Sequence, residues 1–172
     1  MGTMRGMMAR QFLETCHVEF QHIDHRRAVS AQRLAHEEHE TGWRVAKPVM
    51  LKVGKDIVMA VVPAPLQVDL NKVRMALGRE DITLASEDEF AALFPDCELG
   101  AEPPIGTPYG LPVYAERALR LDPYLVFRDG THEGTLRVNT MEFLNATHPV
   151  EIDIGTLAPG PPHDWDSRYD DA

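Results

Sequence analysis

The stretch Val45-Ala46-Lys47-Pro48-Val49-Met50-Leu51-Lys52-Val53-Gly54-Lys55-Asp56-Ile57-Val58-Met59-Ala60-Val61-Val62 decides the fold of this chain. Its first half alternates, so Val45, Lys47, Val49, Leu51 and Val53 share one face of an extended strand. Its second half is apolar on both faces, which is the pattern of a strand buried at the centre of a sheet. Gly54-Lys55 separates the two runs by the two residues a tight hairpin needs. The stretch therefore predicts a hairpin of Val45 to Val53 with Asp56 to Val62. Lys47 is its anomaly. It is either an edge lysine whose ammonium reaches water along its own stem, or a cation at a strand end that meets an anion such as a phosphate.

Downstream, Asp69 is placed to cap a helix over Leu70 to Leu77, with Val68 and Val73 stapling its start and Gly78 closing it. Ile82 to Ala85 reads as a brief strand. Ser86 and Glu89 have capping-box spacing for a helix through Leu93, which Pro95 stops. Further strands are expected at Pro112 to Ala115, Tyr124 to Phe127, Thr135 to Val138 and Val150 to Ile154. Thr140 is expected to cap a short helix to Asn145. Upstream, Arg5 to Glu14 and Ser30 to His39 read as helices and Val18 to Ile23 as a strand. Helices and strands mix without strict alternation. The expected class is α+β: one compact domain over residues 1–154, with a mixed, barrel-like sheet flanked by helices. Residues 155–172, with Pro159-Gly160-Pro161-Pro162 and an acidic end, read as a disordered tail.

A chain of 172 residues, 44% hydrophobic and 26% charged, can bury one core without staples. The longest apolar run is strand-sized, so no membrane span is expected, and no signal peptide is read at the N-terminus. Cys16 and Cys97 form neither a disulfide framework nor a zinc spacing, and a reduced, cytoplasmic chain is the expectation. The net charge of −10 argues against a protein that grips a long duplex by its phosphates, DNA included. It leaves room for one that handles only a single-stranded tip.

Three constellations could carry chemistry. Lys47 is the first. The second is Gly100-Ala101-Glu102-Pro103-Pro104-Ile105-Gly106, in which prolines fix the backbone and glycines let a ligand approach it. It is either a plain rigid turn or a pocket wall. The third is Gly130-Thr131-His132-Glu133-Gly134, where His132 is either an exposed turn residue or a polar lining group or acid/base. His22 with His25, and His36 with His39, are three apart, but nothing completes a metal site. There is no nucleophile elbow and no Gly-rich phosphate loop, so no cofactor is implied, and Cys97 reads as a structural thiol.

The ordered set Ala46-Lys47-Pro48-Val49-Met50-Leu51, Met59-Ala60-Val61-Val62-Pro63, Val68-Asp69-Leu70, Phe94 to Gly106, Tyr109-Gly110-Leu111-Pro112-Val113-Tyr114 and Gly130-Thr131-His132 resembles the YbaK and prolyl-tRNA-synthetase editing-domain family. The resemblance covers roughly residues 18 to 154. It implies hydrolysis of the ester between an amino acid and the terminal adenosine of a tRNA. The tRNA acceptor end would be one partner and an aminoacyl-tRNA synthetase a second. It implies that Lys47 contacts the terminal phosphate. Gly100 and Pro104 would belong to the loop against the aminoacyl group, and Gly106, Gly130, Thr131 and His132 would help bind substrate. An aminoacyl ester is already activated, so a positioned water, helped by the substrate's own 2′ hydroxyl, would suffice. Selection would be by size, the editing half of a double sieve, because one methylene discriminates by only about 1–3 kcal/mol. Small amino acids on tRNA-Pro are the substrates it suggests. Pro48 departs from the polar residue many relatives carry there, which bears on substrate choice and strand geometry. Two alternatives stand beside the enzyme. One is a binding module that has kept the pocket and lost turnover; the other is a metal hydrolase built on the histidine pairs.

Overall fold

The computed structural model describes residues 5–24 and 41–157. The expected helix over Ser30 to His39, with His25, His36 and His39, lies outside the described residues, as does the chain after Leu157.

The hairpin forms as its pattern demands. Strands β2 (Ala46–Val53) and β3 (Asp56–Pro63) pair antiparallel from Ala46 opposite Pro63 to Val53 opposite Asp56. Gly54 takes φ 62° at the turn, a conformation that glycine adopts without a Cβ penalty. Strand β3 is the centre of a five-stranded sheet. Its neighbours are β2, backed by β5 (Ile82–Leu84), and β6 (Val113–Glu116), backed by β9 (Val150–Ile152). The β3–β6 and β6–β9 pairs are parallel, so the sheet is mixed. Central position explains the doubly apolar sequence of β3. Met59 and Val61 enter one core cluster with Phe127, Leu136 and Ile105; Val58, Ala60 and Val62 enter another with Leu51, Val73 and Ile82.

A second sheet is antiparallel, in the order β1 (Phe20–Asp24), β8 (Gly134–Asn139), β7 (Tyr124–Arg128). It meets the first at one parallel bridge, Val45 with Val126. Among the described residues the two sheets do not close into a barrel, and the architecture is α+β with an open, mixed sheet.

Local signals set the helices. Asp69 Oδ1 accepts from the amides of Asn71 and Lys72, and Gly78 ends α2 (Leu70–Leu77) at φ 65°. Val68 and Val73 pack in one cluster across that start. The amide of Ser86 donates to Glu89 Oε1 at 3.0 Å, opening α3 (Glu87–Phe90), which tightens to a 3₁₀ turn over Ala91–Leu93. Helix α1 (Met7–Thr15) buries Ala9 and Leu13. One cap differs from expectation. Asn139, not Thr140, caps α4 (Thr140–Thr147), while the Thr140 hydroxyl donates to the Asp122 carbonyl at 2.6 Å. Thr140 is already inside the helix, so its side chain is spent on a tertiary bond.

Strand structure also runs past the boundary expected at Ile154, in a separate two-stranded sheet. Strand β10 (Gly155–Leu157) pairs antiparallel with β4 (Leu66–Val68). Buried Glu116 fixes that crossing, since its Oε2 accepts from the amides of Ile154 at 2.7 Å and Gly155 at 2.6 Å. No helix is long and apolar enough to cross a membrane among the described residues.

Candidate functional site

Strand β5 covers β2 only from Leu51 to Val53. The first half of β2 therefore has a bare edge, and beside it lies a cavity of about 360 Å³. Ala46 to Met50 form one wall. Glu87 and Phe90 of α3 and Ala85 form another, and Gly100, Glu102 and Arg128 complete it. A salt bridge holds α3 in place: Lys52 Nζ lies 2.7 Å from Glu89 Oε2, and the Lys52 bond pulls the Glu89 carboxyl down to about 2.

Pro48 fits this edge. It sits opposite Val61 in the antiparallel ladder. The two-residue turn makes Val53 and Asp56 a hydrogen-bonded pair, and alternation then points the Pro48 nitrogen away from β3. The missing donor costs the β2–β3 ladder nothing.

Lys47 is half-buried. Its Nζ donates to the Ala64 carbonyl at a long 3.3 Å, and no carboxylate pairs with it among the described residues. Burial lowers its pKa from the ordinary lysine value. An incompletely bonded ammonium beside a cavity is a group prepared for an anion.

The Gly100 loop is pinned from below. Gly100 has φ 86°, a region that disfavours any side chain. His132 Nε2 lies 2.8 Å from the Leu99 carbonyl. A carbonyl can only accept, so Nε2 carries a hydrogen, and the other ring nitrogen is Nδ1. That Nδ1 is buried without a partner among the described residues. The amide of Glu98 donates to the Gly130 carbonyl at 2.7 Å, tying the same loop to the turn after β7.

The structure thus brings Lys47 and Gly100 to one cavity and puts His132 directly beneath Gly100. Pro104, Gly106, Gly130 and Thr131 do not line the cavity. Pro104 is buried in the body of the loop. Gly106 makes a tight turn, its carbonyl accepting from the amides of Tyr109 and Leu111, with no room for a Cβ against the Leu111 carbonyl. Gly130, at φ 112°, lets Gly6 and Cys97 approach. The Thr131 amide and hydroxyl both donate to Asp129 Oδ1 at 2.8 Å, and His22 Nε2 lies 2.9 Å from Asp129 Oδ2. These residues hold the turn that carries His132.

Cys97 is poorly set up as a nucleophile. Burial pushes its thiol pKa well up, and it lies within bonding reach of Asp96 and Tyr109. Two cavity residues escaped the sequence reading, Glu102 and Arg128. Both are charged side chains buried to under a tenth of their surface. Arg128 Nη1 donates to the His132 carbonyl at 3.3 Å. Their neighbours in sequence, Gly100 and Gly130, were the available signal.

Residues 25–146 match the model of the aminoacyl-tRNA editing domain. Among solved structures, a candidate trans-editing enzyme for prolyl-tRNA synthetase aligns with a TM-score of 0.74 at 22% identity, over 88% of this chain and 96% of that one. A hypothetical protein aligns with a TM-score of 0.78 at 15% identity, over 87% and 99%. A candidate signal-transduction protein from Marinobacter aquaeolei VT8 aligns at 0.68 and 16%, over 87% of this chain and 30% of that one. At such identities these likenesses describe the fold. No curated protein matches the chain.

Proposed function

The chain belongs to the aminoacyl-tRNA editing-domain family, and on that premise we propose that it hydrolyses the ester of a mischarged tRNA, acting in trans. One observation carries this reading: Lys47 and Gly100, far apart in sequence, line the same small cavity. In this reading the Lys47 ammonium takes the phosphate of the terminal nucleotide, where few phosphates need be touched. The aminoacyl group enters beside the Gly100 loop. A water oxygen attacks the ester carbonyl carbon, the bond to the ribose oxygen breaks, and a proton passes to that oxygen. The ester is activated and needs no protein nucleophile, which agrees with the engaged, weakly acidic thiol of Cys97. Positioning residues therefore do the work: Lys47 fixes the nucleotide, and His132 fixes the Gly100 backbone through Leu99.

The cavity is small and walled by Pro48, Met50 and Phe90. That favours exclusion by size, with small amino acids admitted, in line with the tRNA-Pro substrates expected from the resemblance. A panel of tRNAs charged with single amino acids tests the proposal. Release of a small amino acid that depends on Lys47 is the expected result. Tight binding of the panel with no release would instead favour a module that binds without turnover.

A further inference from the structure

Glu102 follows Gly100 by two residues, lines the cavity and is only 7% exposed. Its Oε1 accepts from the Gly100 amide at 3.2 Å. Its own amide and His132 also favour the carboxylate, and among the described residues no cationic nitrogen forms an ion pair with it. The second oxygen is not sealed away, because His132 Nδ1 is the single buried side-chain nitrogen or oxygen left without a partner among those residues. Oε2 therefore keeps some accessible surface, and the residue that carries it lines the cavity. A second carboxylate, Glu87, lines the same space. Burial raises the Glu102 pKa, and the backbone amides of Glu102 and Gly100 and nearby His132 offset that only in part, so the charged form is held at a cost.

A carboxyl needed only to bond the Gly100 amide would serve as well as a neutral amide. The charge and the spare oxygen call for a cation from outside. The cavity offers the Lys47 ammonium alongside two carboxyls. The end of an aminoacyl-tRNA carries the complementary pair, a phosphate and an α-ammonium. We infer that Glu102 receives the α-ammonium of the aminoacyl group, so the site reads the free amine in addition to the size of the side chain. This rests on the deacylase reading for its substrate class.

The test is calorimetric binding of two unhydrolysable probes to the full chain. One is 3′-(alanylamino)-3′-deoxyadenosine 5′-phosphate. The other is its lactoyl counterpart, in which a hydroxyl replaces the ammonium at nearly equal size. Alanine has no polar side chain, so a difference between them reports the α-ammonium alone. The wild type should bind the alanyl probe about tenfold more tightly, as expected for one charge-assisted bond. Glu102→Gln keeps an acceptor for the Gly100 amide and should bring the two affinities within about twofold, by weakening the alanyl probe alone. Glu102→Asp should keep part of the gap. An undiminished gap in Glu102→Gln, no gap in the wild type, or no binding of either probe would each overturn the inference. Assay of the same protein on alanyl-tRNA separates the two readings. A Glu102-dependent gap without ester release would leave the ammonium site standing and remove the hydrolytic activity.

Discussion

Replacing Lys47 with methionine removes an ammonium and keeps most of its apolar stem. In the folded chain that ammonium has one long bond, to the Ala64 carbonyl at 3.3 Å, and no carboxylate partner among the described residues. Its loss should weaken substrate use, because a charge-assisted contact to phosphate contributes about 1.5–3 kcal/mol. At tenfold per 1.4 kcal/mol, kcat/KM on a mischarged tRNA should fall by about tenfold to a hundredfold. Salt dependence gives a second readout. One lost phosphate contact on a single strand should flatten the logarithmic salt slope by about 0.7. Stability should move the other way. Burial lowers the Lys47 pKa, so the native state binds fewer protons than the unfolded chain between the lowered value and the ordinary one. Stability thus rises as pH climbs through that window, and at neutral pH the charged lysine is a burden on the fold. Lys47→Met should hold or raise the melting temperature at pH 7, and that advantage should fade as the wild-type lysine deprotonates. A variant with wild-type kcat/KM and an unchanged salt slope would refute the assignment of Lys47 to the phosphate.

Gly100→Val should lower both activity and stability, the latter by about 1–3 kcal/mol, because a β-branched residue is strained at a positive φ. Its Cβ would meet His132 Cε1 at an ordinary 3.5 Å, so the fault lies in backbone geometry, and unchanged melting and kinetics would contradict it. His132→Ala should raise KM more than it lowers kcat and cost about 2–3 kcal/mol, through a lost bond and a small void. His132→Gln can again donate to the Leu99 carbonyl and should recover part of the KM, whereas a group acting in the chemistry itself would not be rescued. Gly106→Ala should destabilise strongly, by about 3 kcal/mol or more, since its Cβ meets a backbone carbonyl that cannot move aside. A thermal melt within a degree of wild type would show the turn to be looser than described.

The hairpin, the Asp69 and Gly78 caps and the Ser86–Glu89 pair were legible because each rests on contacts between residues a few positions apart. A two-residue turn, an aspartate before a helix and a glycine after it carry the same meaning wherever the chain later goes. The doubly apolar pattern of β3 also located the centre of the sheet, since only a covered strand needs no polar face. The residue pattern singled out Lys47 and the Gly100 loop, the resemblance implied their roles, and the structure puts both beside one cavity.

Tertiary structure decided the rest. Nothing in Leu66–Val68 announces a strand, because its partner arrives only when Glu116 holds the chain at Ile154 and Gly155. Pro104, Gly106, Gly130 and Thr131, expected around the substrate, do not line the cavity beside Lys47, since spacing marks a special backbone without saying which side of it faces the ligand. Neither Glu102, inside the Gly100 loop, nor Arg128, just past the strand expected at Tyr124 to Phe127, stood out as a cavity residue. Sequence fixes the charge of a side chain. Its burial, and so the energy of that charge, is set by which distant segments close over it.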